Sequence, residues 1–166
     1  MNAIHVVVMG VSGCGKSEVG RALAATLSLP LVEGDEFHPP SNIEKMKNGI
    51  ALQDADRAGW LALLGAELAS RGGGAVLTCS ALKKAYRDVL RAACPDVRFL
   101  HLQLSEAQAQ RRVASRPGHF YPPALVSTQF AALQDPAGEP GVLQVDATRP
   151  IEEIAALARN WLHPDS

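Results

Sequence analysis

The stretch Gly10-Val11-Ser12-Gly13-Cys14-Gly15-Lys16-Ser17 decides the fold of this chain. It fits the pattern G-x-x-x-x-G-K-[ST], and the mostly apolar residues 4–9 before it are typical of a buried parallel strand. After it, apolar residues recur at helical spacing as far as Leu27. A strand, a glycine-rich turn and a helix form the arrangement in which backbone N–H groups and a helix N-terminus hold phosphate. The stretch therefore predicts a site for nucleotide phosphates.

The individual side chains of this stretch supply further chemistry. Lys16 can reach the β- and γ-phosphates of a nucleotide, and the Ser17 hydroxyl suits Mg²⁺, a hard cation that takes oxygen ligands. We therefore expect ATP and Mg²⁺ as cofactors, Lys16 in a catalytic role and Ser17 as a metal ligand. All eight residues of the stretch are expected to bind the nucleotide. The Cys14 thiol, at a helix N-terminus beside Lys16, is expected to react with alkylating agents and to be shielded by ATP.

Length, charge and composition narrow the class of protein. The 166 residues form one ordinary domain, 1–166, that is large enough to bury a core. A net charge of −1 gives no basic surface for nucleic acid, and no apolar stretch approaches the roughly 18 residues of a membrane span. The chain enters a strand almost at once, which leaves no room for a signal peptide. Cys14, Cys79 and Cys94 lack metal-ligand spacing, so we expect reduced thiols in a cytoplasmic protein.

Strand and helix patterns alternate along the whole chain. Strands are predicted near residues 4–9, 31–33, 75–79, 97–102 and 141–145, and helices near 16–28, 41–47, 56–70, 83–93, 105–116 and 124–133 and from residue 150 on. This alternation predicts an α/β fold with a parallel sheet covered on both faces. Ligands bind such sheets beyond the carboxyl ends of the strands, so residues 10–17, Asp35 and residues 80–84 should share one cleft.

Two of these helices carry local expectations about their residues. Ser41 is expected to cap the helix near 41–47, with Glu44 completing a capping box. The last helix should bury a stripe made of Ile151, Ile154, Leu157 and Ala158.

A polar cluster follows the second predicted strand. Phosphoryl transfer to an alcohol needs an acceptor for the proton of the nucleophile, and Asp35 is the best candidate for it. Asp35 could instead be a loop carboxylate that caps a turn. Glu33 and His38 lie close to Asp35 in sequence. The carboxylate of Asp35 or that of Glu33 could also assist Mg²⁺, directly or through water.

Several cations could hold an anionic acceptor substrate, although solvated helix faces carry such residues as well. They are Arg57, Lys83, Lys84 and Arg87, of which Lys83 is favoured because it follows a strand end that faces the cleft. Arg112 and Arg116 lie four residues apart, on one helical face before a Pro/Gly-rich loop. A mobile lid at about 116–124 would bring their charge over the transferring phosphates; a solvated arginine face is the alternative.

Two missing motifs exclude other nucleotide-binding classes. The chain has no N-K-x-D run to read guanine, and no apolar strand precedes the D-x-x-G at residues 56–59, which disfavours a switch GTPase. The strand at 75–79 ends in Thr78-Cys79-Ser80 rather than in an aspartate, which disfavours a motor-type ATPase. A small-molecule kinase is the class that remains.

The motifs together resemble those of the short, P-loop type of bacterial gluconokinase, a family related to shikimate and adenylate kinases. The resemblance covers nearly the whole chain. It lies in the P-loop, Gly34-Asp35-Glu36-Phe37-His38-Pro39, Asn42-Ile43-Glu44-Lys45-Met46, residues 54–61, Cys79-Ser80-Ala81-Leu82-Lys83-Lys84 with Tyr86-Arg87-Asp88, Gly118-His119-Phe120, Thr128-Gln129-Phe130 and Leu133-Gln134.

The resemblance implies a P-loop nucleoside-triphosphate kinase fold, with a five-stranded parallel sheet between helices, and assembly as a homodimer. It implies ATP-dependent phosphorylation of D-gluconate at the 6-hydroxyl, giving 6-phosphogluconate. By the same resemblance Asp35 orients or deprotonates that hydroxyl, and Arg112 and Arg116 border the lid. The residues that would bind the acid are Asp35, His38, Arg57, Lys83, Tyr86 and His119.

Glu33 departs from the family pattern, because relatives commonly carry aspartate there, and Glu33 is therefore not expected to bind the metal directly. Two other functions stay open from the residues alone. One is a kinase of another small anionic hydroxy acid, such as a shikimate-like acid. The other is a regulatory protein that binds ATP without an acceptor, and Asp35 beside His38 argues against it.

Overall fold

A parallel sheet of five strands organises the computed structural model, which describes the backbone of residues 3–115 and 123–164 and the side chains of residues 3–115 and 126–164. The strands are β1 (His5–Met9), β2 (Leu31–Glu33), β3 (Ala75–Thr78), β4 (Arg98–Gln103) and β5 (Val142–Asp146). Their order across the sheet is β2-β3-β1-β4-β5. The predicted α/β fold with a five-stranded parallel sheet is confirmed.

Seven helices cover the two faces of this sheet within the described ranges. They are α1 (Lys16–Leu27), α2 (Pro40–Lys47), α3 (Asp54–Ser70), α4 (Lys84–Ala93), α5 (Glu106–Ala114), α6 (Pro123–Ala132) and α7 (Ile151–Leu162). Helices α1 and α7 pack together on one face, and α3 and α4 on the other. The side chains of β1 alternate between two apolar cores: Val6 and Val8 belong to the first, Val7 and Met9 to the second. The central strand is therefore buried on both faces, as its β-branched sequence predicts.

The helix boundaries differ from the sequence predictions where capping was misread. Helix α2 begins at Pro40 with Pro39 as N-cap and no side-chain cap, so the predicted cap at Ser41 is wrong. Proline fits the first helical position because its fixed φ is already helical and its missing N–H costs nothing there. Helix α3 begins at Asp54, earlier than expected, because Gln53 and Asp56 form a capping box.

The last helix buries two of the four residues in its predicted stripe, and Ile151 is half-buried. Ile154 and Ala158 are buried, whereas Leu157 is 39% exposed, so its place in the stripe was predicted wrongly. Ser105 caps α5, with its hydroxyl accepting from the backbone N–H of Gln108 at 3.1 Å.

Arg87 is a structural residue on α4. Its guanidinium is fully buried and makes a paired contact with the Glu139 carboxylate, at 2.9 and 2.7 Å. It also donates to the backbone oxygens of Ala81 and Gln134. Ala81 has a φ of 46°, an unusual conformation for alanine, which these contacts help to hold. The idea that Arg87 holds an acceptor substrate is wrong, because no ligand can reach it.

Candidate active site

The phosphate loop between β1 and α1 has the backbone shape of an anion cradle. Gly10, Gly13 and Gly15 have φ values of 148°, 86° and 94°, which side chains rarely tolerate. A Cβ atom on Gly10 would lie 2.7 Å from the Cys14 sulfur and 2.9 Å from the Leu102 oxygen. The loop therefore requires glycine there, and it ends on the N-terminus of the 12-residue helix α1. These features fit nucleotide phosphates.

Two side chains of the loop lie in different directions. The Lys16 ammonium reaches over the loop and donates to the backbone oxygens of Gly10 at 3.0 Å and Val11 at 3.1 Å. The Cys14 side chain is only 1% exposed and belongs to the apolar core beneath the loop. The expectation of a reactive Cys14 is therefore wrong, because reaction with an alkylating agent requires access to the sulfur.

Ser17, Glu33 and Thr78 form a hydrogen-bonded group beside the loop. The Ser17 hydroxyl donates to one carboxylate oxygen of Glu33 at 2.7 Å, and the Thr78 hydroxyl donates to the other at 3.0 Å. The backbone N–H of Gly34 in turn donates to the Thr78 hydroxyl at 3.2 Å. A hydroxyl and a carboxylate next to a phosphate site are ligands that suit Mg²⁺, which takes its remaining ligands from phosphates and water.

The described ranges contain no group of three or more His, Cys, Asp or Glu side chains that could hold a metal ion. Nor do they include a helix long and apolar enough to cross a membrane.

A cleft of about 580 Å³ opens next to the phosphate loop, beyond the carboxyl ends of the strands. Its lining includes Ser12, Lys16, Asp35, His38, Arg57 and Trp60. The structure thus brings Lys16 of the loop together with three residues chosen from sequence, namely Asp35, His38 and Arg57. A second hollow of about 640 Å³ lies at the amino ends of the strands, around His5, Pro95 and His163, and so at the opposite end of the sheet from these groups.

Asp35 and His38 both belong to the segment that follows β2. Asp35 lies in a turn of 3₁₀ helix, Gly34–Phe37, and its side chain is 88% exposed to the cleft. His38 is buried and stacks on Trp60, with ring centroids 4.0 Å apart. Burial lowers the pKa of His38, and the Arg57 charge lowers it further, although the nearby Asp35 carboxylate opposes both. Trp60 belongs to the second apolar core and holds this segment by donating from its indole N–H to the backbone oxygen of Gly34 at 2.8 Å.

Arg57 lines the cleft and meets two residues that do not: Lys83, which lines a neighbouring hollow of about 350 Å³ together with Arg57, and Tyr86, which is buried. Arg57 donates to the Tyr86 hydroxyl at 3.2 Å and to the Leu52 oxygen at 2.9 Å. The Tyr86 hydroxyl and the Lys83 ammonium both donate to one oxygen of Asp54. These two bonds, that of Tyr86 first, hold the pKa of Asp54 below its usual range. Burial and the bond to Asp54 raise the pKa of Tyr86, so its hydroxyl stays a neutral donor.

Sequence reasoning did not select Asp54 or Gln129 for the site. Asp54 had a signal, because it lies three residues before Arg57 in a motif of the family, but nothing in the sequence gave its contacts. Gln129 of α6 accepts from the backbone N–H of Ser12 in the phosphate loop at 2.6 Å. The two residues are 117 positions apart, so no local pattern could have linked them.

Arg112 does not line the cleft, but its side chain lies against the phosphate loop. Its guanidinium donates to the backbone oxygen of Gly13 at 3.1 Å and to that of Ala147 at 3.2 Å. It therefore fastens the loop to the end of β5 in this structure. Arg116, His119 and the expected lid at about 116–124 lie outside the described residues, apart from the first two residues of α6.

Comparison with known proteins gives consistent relatives. A family profile described as an AAA domain matches residues 6–140. The gluconokinase of Gluconobacter oxydans is 45% identical, over 87% of this chain and 83% of that protein. The thermoresistant gluconokinase of Escherichia coli is 44% identical, over 90% of this chain and 88% of that protein. The crystal structure of a gluconokinase from Sinorhizobium meliloti superposes with a TM-score of 0.85 at 45% identity, covering 98% of both chains.

Proposed function

This chain belongs to the gluconokinase family of P-loop kinases, and on that basis we propose that it phosphorylates D-gluconate. The γ-phosphoryl group of ATP is transferred to the 6-hydroxyl of the acid, giving 6-phosphogluconate and ADP. The observation that carries the proposal is the juxtaposition in one cleft of Lys16, on the phosphate loop, with Asp35 and with the cation Arg57. Phosphoryl transfer to an alcohol that also carries a carboxylate needs three parts: a cradle for the phosphates, a carboxylate to accept the hydroxyl proton, and a cation to bind the substrate's carboxylate.

The nucleotide side of the reaction belongs to residues 10–17. Their N–H groups and the N-terminus of α1 hold the phosphates, and the Lys16 ammonium turns from the loop oxygens to the γ-phosphoryl group as charge develops there. Ser17 would hold Mg²⁺ directly, and Glu33 would assist through Ser17 or through water. When bound, Mg²⁺ offsets the negative charge of the phosphate oxygens.

The acceptor side uses the cleft and the neighbouring group around Arg57. Arg57, Lys83 and Tyr86 bind the carboxylate and nearby hydroxyls of gluconate, which directs the far end of the chain toward the loop. Asp35 accepts the proton of the 6-hydroxyl as that oxygen bonds to phosphorus and the bond from phosphorus to the leaving oxygen of ADP breaks. His38 contributes a hydrogen bond to the acceptor.

The remaining assignments rest on the family resemblance alone. Arg116 and His119 are assigned to a lid at about 116–124 that covers the phosphates, and Arg112 to its border. The protein is assigned to the cytoplasm and to a homodimer. Light scattering on the purified protein tests the dimer, and a monomer at micromolar concentration would exclude it.

The direct test of the function is ADP release with a panel of acids. Gluconate is expected to give turnover that depends on both ATP and Mg²⁺, and phosphorus NMR should place the product phosphate on the 6-position. Shikimate and glucose serve as controls, the first for another hydroxy acid and the second for a sugar without a carboxylate. Turnover of shikimate in place of gluconate would identify a different kinase, and no turnover with any acid would favour an ATP-binding protein.

A further inference from the structure

Asn42 is a buried polar side chain that the proposed chemistry does not use. It lies on α2, is 2% exposed, and its amide nitrogen makes two contacts. One is with the ring atom Nδ1 of His38 at 3.2 Å, and the other with the backbone oxygen of Asp56 at 2.9 Å. Because a carbonyl oxygen can only accept, the Asp56 contact fixes which end of the amide is the NH₂ group.

This arrangement determines where His38 carries its proton. An NH₂ group only donates, so Nδ1 of His38 must accept and the proton of the neutral ring lies on Nε2. Burial favours that neutral ring by lowering the pKa of His38. Nε2–H therefore points away from Asn42, and it lies 3.9 Å from a carboxylate oxygen of Asp35.

A separation of 3.9 Å is too long for a hydrogen bond, but it suits a shared partner. One oxygen atom can lie about 2.9 Å from Nε2 and about 2.7 Å from the Asp35 oxygen at the same time. A hydroxyl oxygen in that position accepts from His38 and donates to Asp35. A carbonyl or ether oxygen has no proton to give to Asp35, and it is rejected.

We propose that Asn42 is a positioning residue: it holds His38 as an Nε2–H donor, so that His38 and Asp35 together recognise one hydroxyl group of the acceptor. The proposal rests on the proposed function for the identity of the acceptor. The orientation of the His38 ring does not depend on the proposed function. If the proton lay on Nδ1 instead, two acceptors would face one hydroxyl, and one of them would be left without a partner.

The first measurement needs no variant. Long-range proton–nitrogen correlation spectra of the nitrogen-labelled protein distinguish the two neutral forms of each histidine. His38 is expected to show the proton on Nε2. His101, whose Nδ1 lies 3.1 Å from the amide nitrogen of Gln144, provides a reference in the same spectrum. A proton on Nδ1 of His38 in the ligand-free protein would overturn the proposal.

The second measurement separates positioning from packing. Asn42→Leu keeps the volume but removes the donor, and we expect kcat/KM for gluconate to fall by between about tenfold and a hundredfold. Affinity for Mg·ATP should be unchanged. In a His38→Gln background the amide supplies its own donor, so the same Asn42→Leu change should cost less than about threefold. The cost of the lost Asp56 contact is present in both backgrounds and cancels from the comparison.

An equal loss in both backgrounds would show that Asn42 only packs α2 against α3, and would overturn the proposal. If another acid replaces gluconate as substrate, the four variants are compared with that acid. If no acid is a substrate, the proposed function fails, while the ring spectrum still decides whether Asn42 fixes the orientation of His38.

Discussion

The carboxylate of Glu33 accepts a hydrogen bond of 2.7 Å from the hydroxyl of Ser17, which joins the end of β2 to the last residue of the phosphate loop. The side chain of glutamate is one methylene longer than that of aspartate, and in Glu33 it reaches the Ser17 hydroxyl, which is expected to bind Mg²⁺. We therefore expect Glu33→Gln to weaken Mg²⁺ binding in the presence of ADP by about tenfold, because the amide loses the negative charge. Isothermal titration of Mg²⁺ into the ADP complex measures this.

Glu152→Gln is the matched control for that experiment, since Glu152 lies on the exposed side of α7. Unchanged Mg²⁺ affinity in Glu33→Gln would show that the carboxylate only holds the Ser17 and Thr78 hydroxyls.

Lys16→Ala is expected to lower turnover by on the order of a hundredfold or more, because the ammonium contacts the phosphoryl group most strongly in the transition state. Circular dichroism should show an intact fold. Lys84→Ala is the control, since Lys84 makes an exposed ion pair with Asp88. Near-normal turnover in a folded Lys16→Ala protein would remove Lys16 from the mechanism.

Arg87 and Glu139 are expected to matter for stability rather than for binding. Arg87→Met removes the fully buried partner of Glu139 and leaves only the pair with Arg91 at 2.9 Å, and a loss of about 3 kcal/mol in the free energy of unfolding is expected. Arg71→Met, which breaks the more exposed pair with Glu67, should cost less than about 1 kcal/mol. Urea denaturation followed by tryptophan fluorescence measures both, and equal losses would contradict the structural role.

The same pair predicts how stability depends on pH. The Arg87 guanidinium holds the pKa of Glu139 below its usual range in the folded protein. Its contribution is therefore complete above the unfolded value of about 4.3 and is lost as the pH falls below that value. We expect a smaller decrease in stability between about pH 5 and pH 3 in Glu139→Gln than in the wild-type protein. If the free energy of unfolding falls equally with pH in both proteins, other carboxylates account for the acid sensitivity.

The buried thiols give a prediction opposite to the one from sequence. Cys14, Cys79 and Cys94 are all buried, so a thiol reagent should modify the native protein slowly. After unfolding, the same reagent should modify all three cysteines. Mass mapping after short exposure identifies the site that reacts first. Rapid labelling of Cys14 that ATP prevents would show that the loop opens in solution.

The fold was predictable because its determinants are local. Apolar strands, a glycine-rich turn and helical periodicity all act within a few residues, and their alternation predicts a parallel sheet. The order of the strands, β2-β3-β1-β4-β5, was not predicted. Asp35, His38 and Arg57 could be selected because they follow strand ends or belong to family motifs. The direction of each side chain could not be predicted.

Cys14 illustrates that failure, because the pattern of the loop does not say which residues point into the core. The contacts of Arg112 with Gly13 and Ala147 could not be predicted either, and its role at the phosphates stays a prediction. The bonds from Asn42 to His38 and from Ser12 to Gln129 depend on how α2 and α6 pack, which no local pattern contains.

The most direct test of the account is turnover and Mg·ATP affinity measured together in Asp35→Asn. This change keeps the size of the side chain and removes the charge that accepts the proton. We predict that turnover of gluconate falls by roughly 10²–10⁴ while Mg·ATP affinity changes little, because residues 10–17 hold the phosphates without Asp35. Markedly weaker Mg·ATP binding, with turnover partly restored by added Mg²⁺, would assign Asp35 to the metal instead. Full activity would contradict the account, because the acceptor would then bind away from Asp35.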